Sequence, residues 1–257
     1  MNFQSCLKLA HIYGNVSVLK PKTEFLVVIM SLEIFVIFHK RVYPEMYEEL
    51  DEEEKACLTF VAVNENIEKD VLPEKYIKEW ELPVYNPDWQ KNNWMNGGTN
   101  HHIVMNKVSK ADYIGFVQYD MRFPKGSIHR LKSMLSPNIG VSVKVMDLYT
   151  LLATSTYGFH EVELFNYTLS QLPQIKSMHF PLYHNCFMLR EKYEEIMPVV
   201  LKIDETLYTF HNKPGDPIYR FPITTERTLA LGIASVVDDV VELTGISHEK
   251  LIHLGTN

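Results

Sequence analysis

The apolar run FLVVIMSLEIFVIF, Phe25 to Phe38, limits the fold first, because it spans 14 residues and carries Glu33 inside it. Crossing a bilayer takes about 20 apolar residues, so buried β-structure is expected here and no membrane span. The run begins late for a secretory leader, and no small-residue cleavage site separates it from His39, Lys40 and Arg41. Within it, Glu33 to His39 is short and rich in β-branched and aromatic residues, as the first buried strand of an α/β sheet would be. Met30 stands directly before that strand. Residues 1–30 are therefore expected to be an extension, and residues 31–257 the folded domain.

The same alternation continues along the chain. Tyr43 to Lys55 is acidic and helix-favouring, and Cys57 to Val63 reads as a second buried strand. Pro73, Pro83 and Pro87 break Asn64 to Lys91 into loops and one short helix. Asn96-Gly97-Gly98-Thr99 reads as a turn opening a helix over Asn100 to Lys110, followed by a strand from Tyr113 to Tyr119 that ends at Asp120. Ser127 to Leu135 and Asp147 to Thr154 are expected helices. Phe180 to Arg190 is strand-like and runs into a helix from Glu191 to Leu201, and a further helix, capped by a threonine, spans Thr224 to Gly232. Strands alternating with helices predict an α/β class with one central sheet.

Composition removes several functions. A formal charge of −7 and a pI near 5.9 leave no broad basic face for nucleic acid. Cys6, Cys57 and Cys186 lie far apart without a CxxC pair, so neither a disulfide framework nor a thiolate zinc site is expected. A reducing, cytoplasmic setting fits. Eleven histidines include no HExxH, and the adjacent rings of His101 and His102 point in different directions on a helix. The chain also lacks GxxxxGK[ST], GxGxxG and GxSxG, which leaves P-loop, dinucleotide-binding and α/β-hydrolase readings without their fingerprints.

What remains gathers at strand ends, where open α/β sheets bind ligands. Asp120, in GFVQYDMRF, is placed to hold a divalent cation that bridges two phosphates, since magnesium and manganese prefer oxygen ligands. The alternative is a strand-terminal Asp capping the next turn. His184, in FPLYHNCF, is a candidate further ligand of that metal or a donor to phosphate, against a structural histidine bonded to backbone. Lys40 and Arg41, with Gly97, Gly98 and Thr99, offer charge and backbone N–H groups to a diphosphate. Glu226, in TTERTLALG, is read in the first turn of its helix, either as a general base or as a helix-start acid favoured by the macrodipole. Glu161 and Glu163 of HEVELF compete with it, on what reads as the wet face of a strand or loop.

Three segments in order, ADYIGFVQYDMRF, NCFMLREKY and TERTLALGI, resemble those of the bacterial capsular-polysaccharide glycosyltransferases, whose strand motif reads like ADYIGLCHYRRYF. EIFVIFHK resembles that family's first strand, and similar enzymes occur in large algal DNA viruses, which would put the protein in the host cytoplasm. The resemblance covers about residues 31 to 235. It implies a single GT-A-like domain with a mixed, mostly parallel sheet flanked by helices, a nucleotide-sugar donor with UDP-sugars foremost, a carbohydrate acceptor, and a manganese or magnesium ion. His39, Asn64, Gln118 and Tyr119 are expected to join the donor site, and Arg122 and Asn185 the acceptor side. Where the family has Arg after the tyrosine this chain has Asp120, and where GT-A enzymes show Asp-x-Asp it has Gln118-Tyr119-Asp120. The reaction expected is direct displacement, with inversion favoured. A non-catalytic carbohydrate-binding protein on the same fold and a metal-dependent nucleotide-sugar phosphohydrolase are the alternatives.

Overall fold

A computed structural model of the chain describes residues 30–63, 65, 67, 72–88, 95–147, 149–150, 162–182, 184–211 and 221–248. Its strands are β1 (Leu32–Phe38), β2 (Leu58–Ala62), β3 (Ile77–Lys78), β4 (Tyr113–Gln118), β5 (Met121–Arg122), β6 (Ile139–Ser142), β7 (Val145–Asp147), β8 (His179–Pro181), β9 (Cys186–Leu189), β10 (Asp239–Glu242) and β11 (Ser247–His248). The helices are α1 (Glu52–Lys55), α2 (Met95–Met105), α3 (Ser127–Met134), α4 (Val162–Gln171), α5 (Arg190–His211) and α6 (Phe221–Val236).

Seven strands form the central sheet in the order β10-β6-β9-β4-β1-β2-β3. Every pairing in it is parallel except the two made by β9, which runs against β4 and β6. The uninterrupted apolar character of β1 follows from this position. Phe35 belongs to a core shared with α2, α5 and α6, while Leu32, Ile34, Val36 and Phe38 belong to a second core shared with Tyr43 to Leu50 and α3. A strand buried on both faces needs no polar alternation. Glu33, the charge inside the apolar run, accepts hydrogen bonds from Thr59 Oγ1 at 2.7 Å and Ser109 Oγ at 2.5 Å. No helix among the described residues is long and apolar enough to cross a membrane.

Of the three segments that carry the resemblance, the first two touch and the third packs on the helix that continues the second. Asp112 accepts from the Ser31 N–H and hydroxyl, tying the start of β4 to the start of β1. Arg190, opening α5, donates to the Ala111 carbonyl at 2.9 Å and pairs with Glu194. Gly115 lies beneath the Phe187 ring, and a Cβ added there would stand 2.0 Å from Phe187 Cδ1. At Gly232 the same atom would come within 2.6 Å of Val200 Cγ2, so this glycine sets the approach of α6 to α5. Gly115→Ala is therefore expected to destabilise the fold by about 1 to 3 kcal/mol, the usual cost of overpacking a filled core. Urea unfolding measures it, and an unchanged midpoint would mean that the Phe187 ring moves freely aside.

Several sequence expectations need correction. Tyr43 to Lys55 is no single helix but a 3-10 turn at Pro44–Met46 and the four-residue α1, whose Asp51 cap and Glu54 form a capping box. Asn64 to Lys91 contributes the edge strand β3 and a 3-10 turn at Glu79–Glu81. Phe180 to Arg190 is split into β8 and β9, because the chain turns at Leu182 to Asn185 to enter the main sheet. The helix read as Glu191 to Leu201 runs from Arg190 to His211 and continues past Pro198. Asp147 ends the strand β7 and only Tyr149 and Thr150 of the expected helix beyond it are described, as helix.

Candidate functional site

The sheet's strand directions bring distant residues to one edge. β1 and β4 are parallel neighbours with Ile37 opposite Gln118, so both end side by side. β9 is antiparallel with Phe187 opposite Gly115, which brings the residues just before it, His184 and Asn185, to the same edge. There the chain encloses a pocket of about 170 Å³ lined by Ile37, His39, Phe116, Val117, Gln118, Tyr119, Asp120, His184 and Asn185, with Asn100 contributed by α2.

The inner wall is polar and buried. Asn100 and His184 are 0% and 5% exposed, and Asn185 is 1% exposed. His184 sits at φ 59, a left-handed conformation uncommon for residues other than glycine. The turn holding it is fixed by a bond from the Asn185 N–H to the Leu182 carbonyl at 3.2 Å, and by the Ser142 hydroxyl donating to the Asn185 carbonyl at 2.6 Å. Burial, and then the nearby Arg227 charge, push the His184 imidazole down to about 3, so it is neutral. Behind this wall His101 Nε2 lies 3.8 Å from Asp204 Oδ2, and burial raises the Asp204 carboxyl well above its usual range. The Asn86 N–H donates to His102 Nε2 at 2.9 Å, which leaves Nδ1 as the proton donor to Glu79 Oε1 at 2.6 Å.

The rim is aromatic. Tyr119 stacks on Tyr43 at 6.0 Å between ring centres and meets the His39 ring edge-on at 5.7 Å, while the Arg41 guanidinium lies 4.6 Å over Tyr43. Burial lowers the His39 pKa, against a smaller upward pull from Glu79. Tyr47 and Tyr119 are both raised by burial first and by the Asp120 charge second, so the Asp120 carboxylate carries its negative potential onto the rim.

The structure thus brings together His39, Gln118, Tyr119, Asp120, His184 and Asn185. Other expected residues stand elsewhere. Lys40 is exposed. Gly97, Gly98 and Thr99 are not in a turn but inside α2, where Gly98 and Thr99 are buried. Arg122, on β5, is exposed and pairs with Glu49 at 2.6 Å. Glu226 is the sixth residue of α6 rather than part of its first turn, because the helix starts at Phe221. Its carboxylate accepts from Arg227 Nη1 at 2.9 Å. Glu163 is helical, in α4, rather than on a strand or loop. Asn64 and Glu161 lie outside the described residues.

Asp51, Glu54 and His129 also gather in a cluster of the kind that holds a metal. Backbone N–H groups of Glu54, Asp51, Gly126 and Ile128 already donate to the two carboxylates, and His129 Nε2 lies 3.0 Å from Asp51. The cluster is a structural knot joining α1 to the start of α3.

Sequence reasoning missed Asn100 and Arg227. A signal existed for the first: Thr99-Asn100-His101-His102 is a polar run without a formal charge, and all four residues are no more than 1% exposed.

No family of known proteins matches the sequence, and no curated protein does. Among solved structures, the chain is similar to the apo structure of WbbM, a bifunctional glycosyltransferase, with a TM-score of 0.51 and 9% identity over 84% of this chain. It spans 46% of that protein, about half its length. It also aligns with glucosyl-3-phosphoglycerate synthase from Mycobacterium tuberculosis in complex with Mg2+ and UDP, at a TM-score of 0.40 and 11% identity over 88% of this chain and 74% of that one. The second likeness is too loose to bear on this chain. The first, with the sheet described above, establishes a GT-A-like α/β fold: a mostly parallel central sheet flanked by helices.

Proposed function

We propose that the chain transfers a sugar from a nucleotide-sugar, UDP-sugars foremost, to a carbohydrate acceptor, in the manner of the capsular-polysaccharide enzymes its motifs resemble. The observation that carries the reading is the convergence of Gln118, Tyr119, Asp120, His39 and Asn185 on one pocket at the strand-end edge of a GT-A-like sheet. The catalytic unit is residues 31–257, with residues 1–30 outside it.

In this reading the nucleoside diphosphate lies over the rim between His39, Tyr119 and Asp120. Lys40 and Arg41, which follow His39 at that rim, face its phosphates, and the acceptor approaches past Asn185. A divalent cation fits the donor set on one condition. Asp120 is the only carboxylate among the residues lining the described pocket, whereas magnesium and manganese favour about six oxygen ligands, so the ion must be completed by phosphates and water. Bound there, such an ion would neutralise charge on the departing diphosphate. His184, expected from the sequence as a second ligand, feels the Arg227 charge, which disfavours a cation on it. Glu226 removes the acceptor proton as its oxygen attacks the anomeric carbon, and direct displacement inverts that centre.

A carbohydrate-binding protein without turnover is the second reading, favoured by the single carboxylate of Gln118-Tyr119-Asp120. A phosphohydrolase is less suited, since the described lining of the pocket holds a single carboxylate, Asp120. Thermal shift with UDP-glucose, UDP-galactose and UDP-N-acetylglucosamine, each with and without manganese, tests the donor site. A ligand at about 100 times its Kd stabilises the native state by about 2.7 kcal/mol. For a domain of this size that raises Tm by roughly 5 to 10 °C. No shift with any of them would remove the donor site.

A further inference from the structure

We propose that Asn100 and His184 form the subsite for the hydroxyl groups of the donor's sugar ring, an inference that rests on the nucleotide-sugar reading above. Both side chains line the pocket and both are more than nine-tenths buried. Neither the amide nitrogen and oxygen of Asn100 nor either ring nitrogen of His184 has a hydrogen-bond partner among the described residues. Buried polar groups are almost always paired, so two unpartnered side chains facing one cavity point to a ligand that pairs them. The left-handed backbone of His184 agrees, because strain of that kind persists where surrounding structure enforces it and gathers at ligand sites.

The donor set identifies the ligand's chemistry. An amide offers two donors and an acceptor, and a neutral imidazole one of each. A phosphate has only acceptors, and would meet the Asn100 carbonyl oxygen and the imidazole lone pair unfavourably. A metal ion would leave the amide N–H groups unsatisfied. A hydroxyl both donates and accepts, and neighbouring hydroxyls on a sugar ring satisfy both side chains at once. Size agrees as well: drug-sized ligands occupy about 300 to 1,000 Å³, and this pocket of about 170 Å³ has room for one ring, with the nucleotide beyond it on the rim.

The test compares UDP with the tightest-binding of the three UDP-sugars by calorimetric titration in manganese, on the full chain. Asn100→Ala is expected to weaken the UDP-sugar about tenfold or more while leaving UDP within about twofold, the pattern of a buried hydrogen bond lost to the sugar alone. His184→Asn, which tolerates the left-handed backbone, is expected to do the same. Equal loss for UDP and UDP-sugar would make the wall a phosphate or metal subsite and overturn the proposal. So would unchanged donor binding with a raised KM for the acceptor alone. The unaltered chain gives a readout that needs no variant to fold: removing one ring hydroxyl at a time from the UDP-sugar is expected to cost about tenfold or more at one or two positions. Equal binding of every deoxy analogue would overturn the subsite. A wild-type chain that binds neither UDP nor any UDP-sugar overturns the donor reading itself, and shows this before any variant is compared.

Discussion

Asp120→Asn is expected to lower manganese-stimulated turnover by about 10² to 10³, the usual loss when one preorganised electrostatic contact to the reacting group is removed. The carboxylate stands just beyond β4, partly buried at the pocket, where its charge already perturbs Tyr47 and Tyr119. Asparagine keeps the shape and one carbonyl oxygen but removes the charge that, in the proposed function, holds a cation beside a diphosphate. It belongs to neither hydrophobic core, so the melting temperature should move little. Measured together, turnover and melting separate a site residue from a structural one. Unchanged manganese-stimulated turnover would take Asp120 out of the donor site, and a large loss of Tm would return it to the role of a strand-end cap.

Glu226→Gln is expected to lower kcat by about 10² to 10⁴, the range for removing a positioned general base, with donor affinity nearly unchanged. Its place on α6 differs from the sequence expectation. The helix begins at Phe221, five residues before Glu226, so the macrodipole does little for this carboxylate, and the Arg227 guanidinium at 2.9 Å is a described partner. The same Arg227 charge reaches His184 on the pocket wall, which connects this stretch of α6 to the site. Glutamine preserves size and a hydrogen-bond acceptor for Arg227. A purely structural Glu226 would instead cost about 1 to 3 kcal/mol of stability, as a charge-assisted hydrogen bond does, with turnover close to wild type. Turnover preserved in Glu226→Gln but lost in Glu163→Gln would move the base to α4.

The strands were legible because burial on two faces writes itself as an uninterrupted apolar run. β1, β2 and β4 were each found to within one or two residues of their ends. Asp120, Tyr119 and His184 were legible for the same reason, since they flank such runs. What was not legible came from pairing between distant segments. β8 and β9 read as one strand because the left-handed turn at His184 carries no glycine to mark it. The two glycines at 97 and 98 suggested a turn, yet α2 runs through them, its polar residues buried by α5, α6 and the 3-10 turn at Glu79–Glu81, where His102 pairs with Glu79. Asn100 escaped notice because polarity in a helix ordinarily means a wet face, and only the tertiary fold turns this one inward.

The central claim is sugar transfer, and product analysis reaches it most directly. The full chain is incubated with manganese, a UDP-sugar labelled in the sugar, and a panel of oligosaccharide acceptors. Label appearing in a glycosidic bond to one acceptor, with UDP released in equal amount, is the expected result. Label recovered as free sugar phosphate, or left wholly in a bound and unreacted donor, would contradict it.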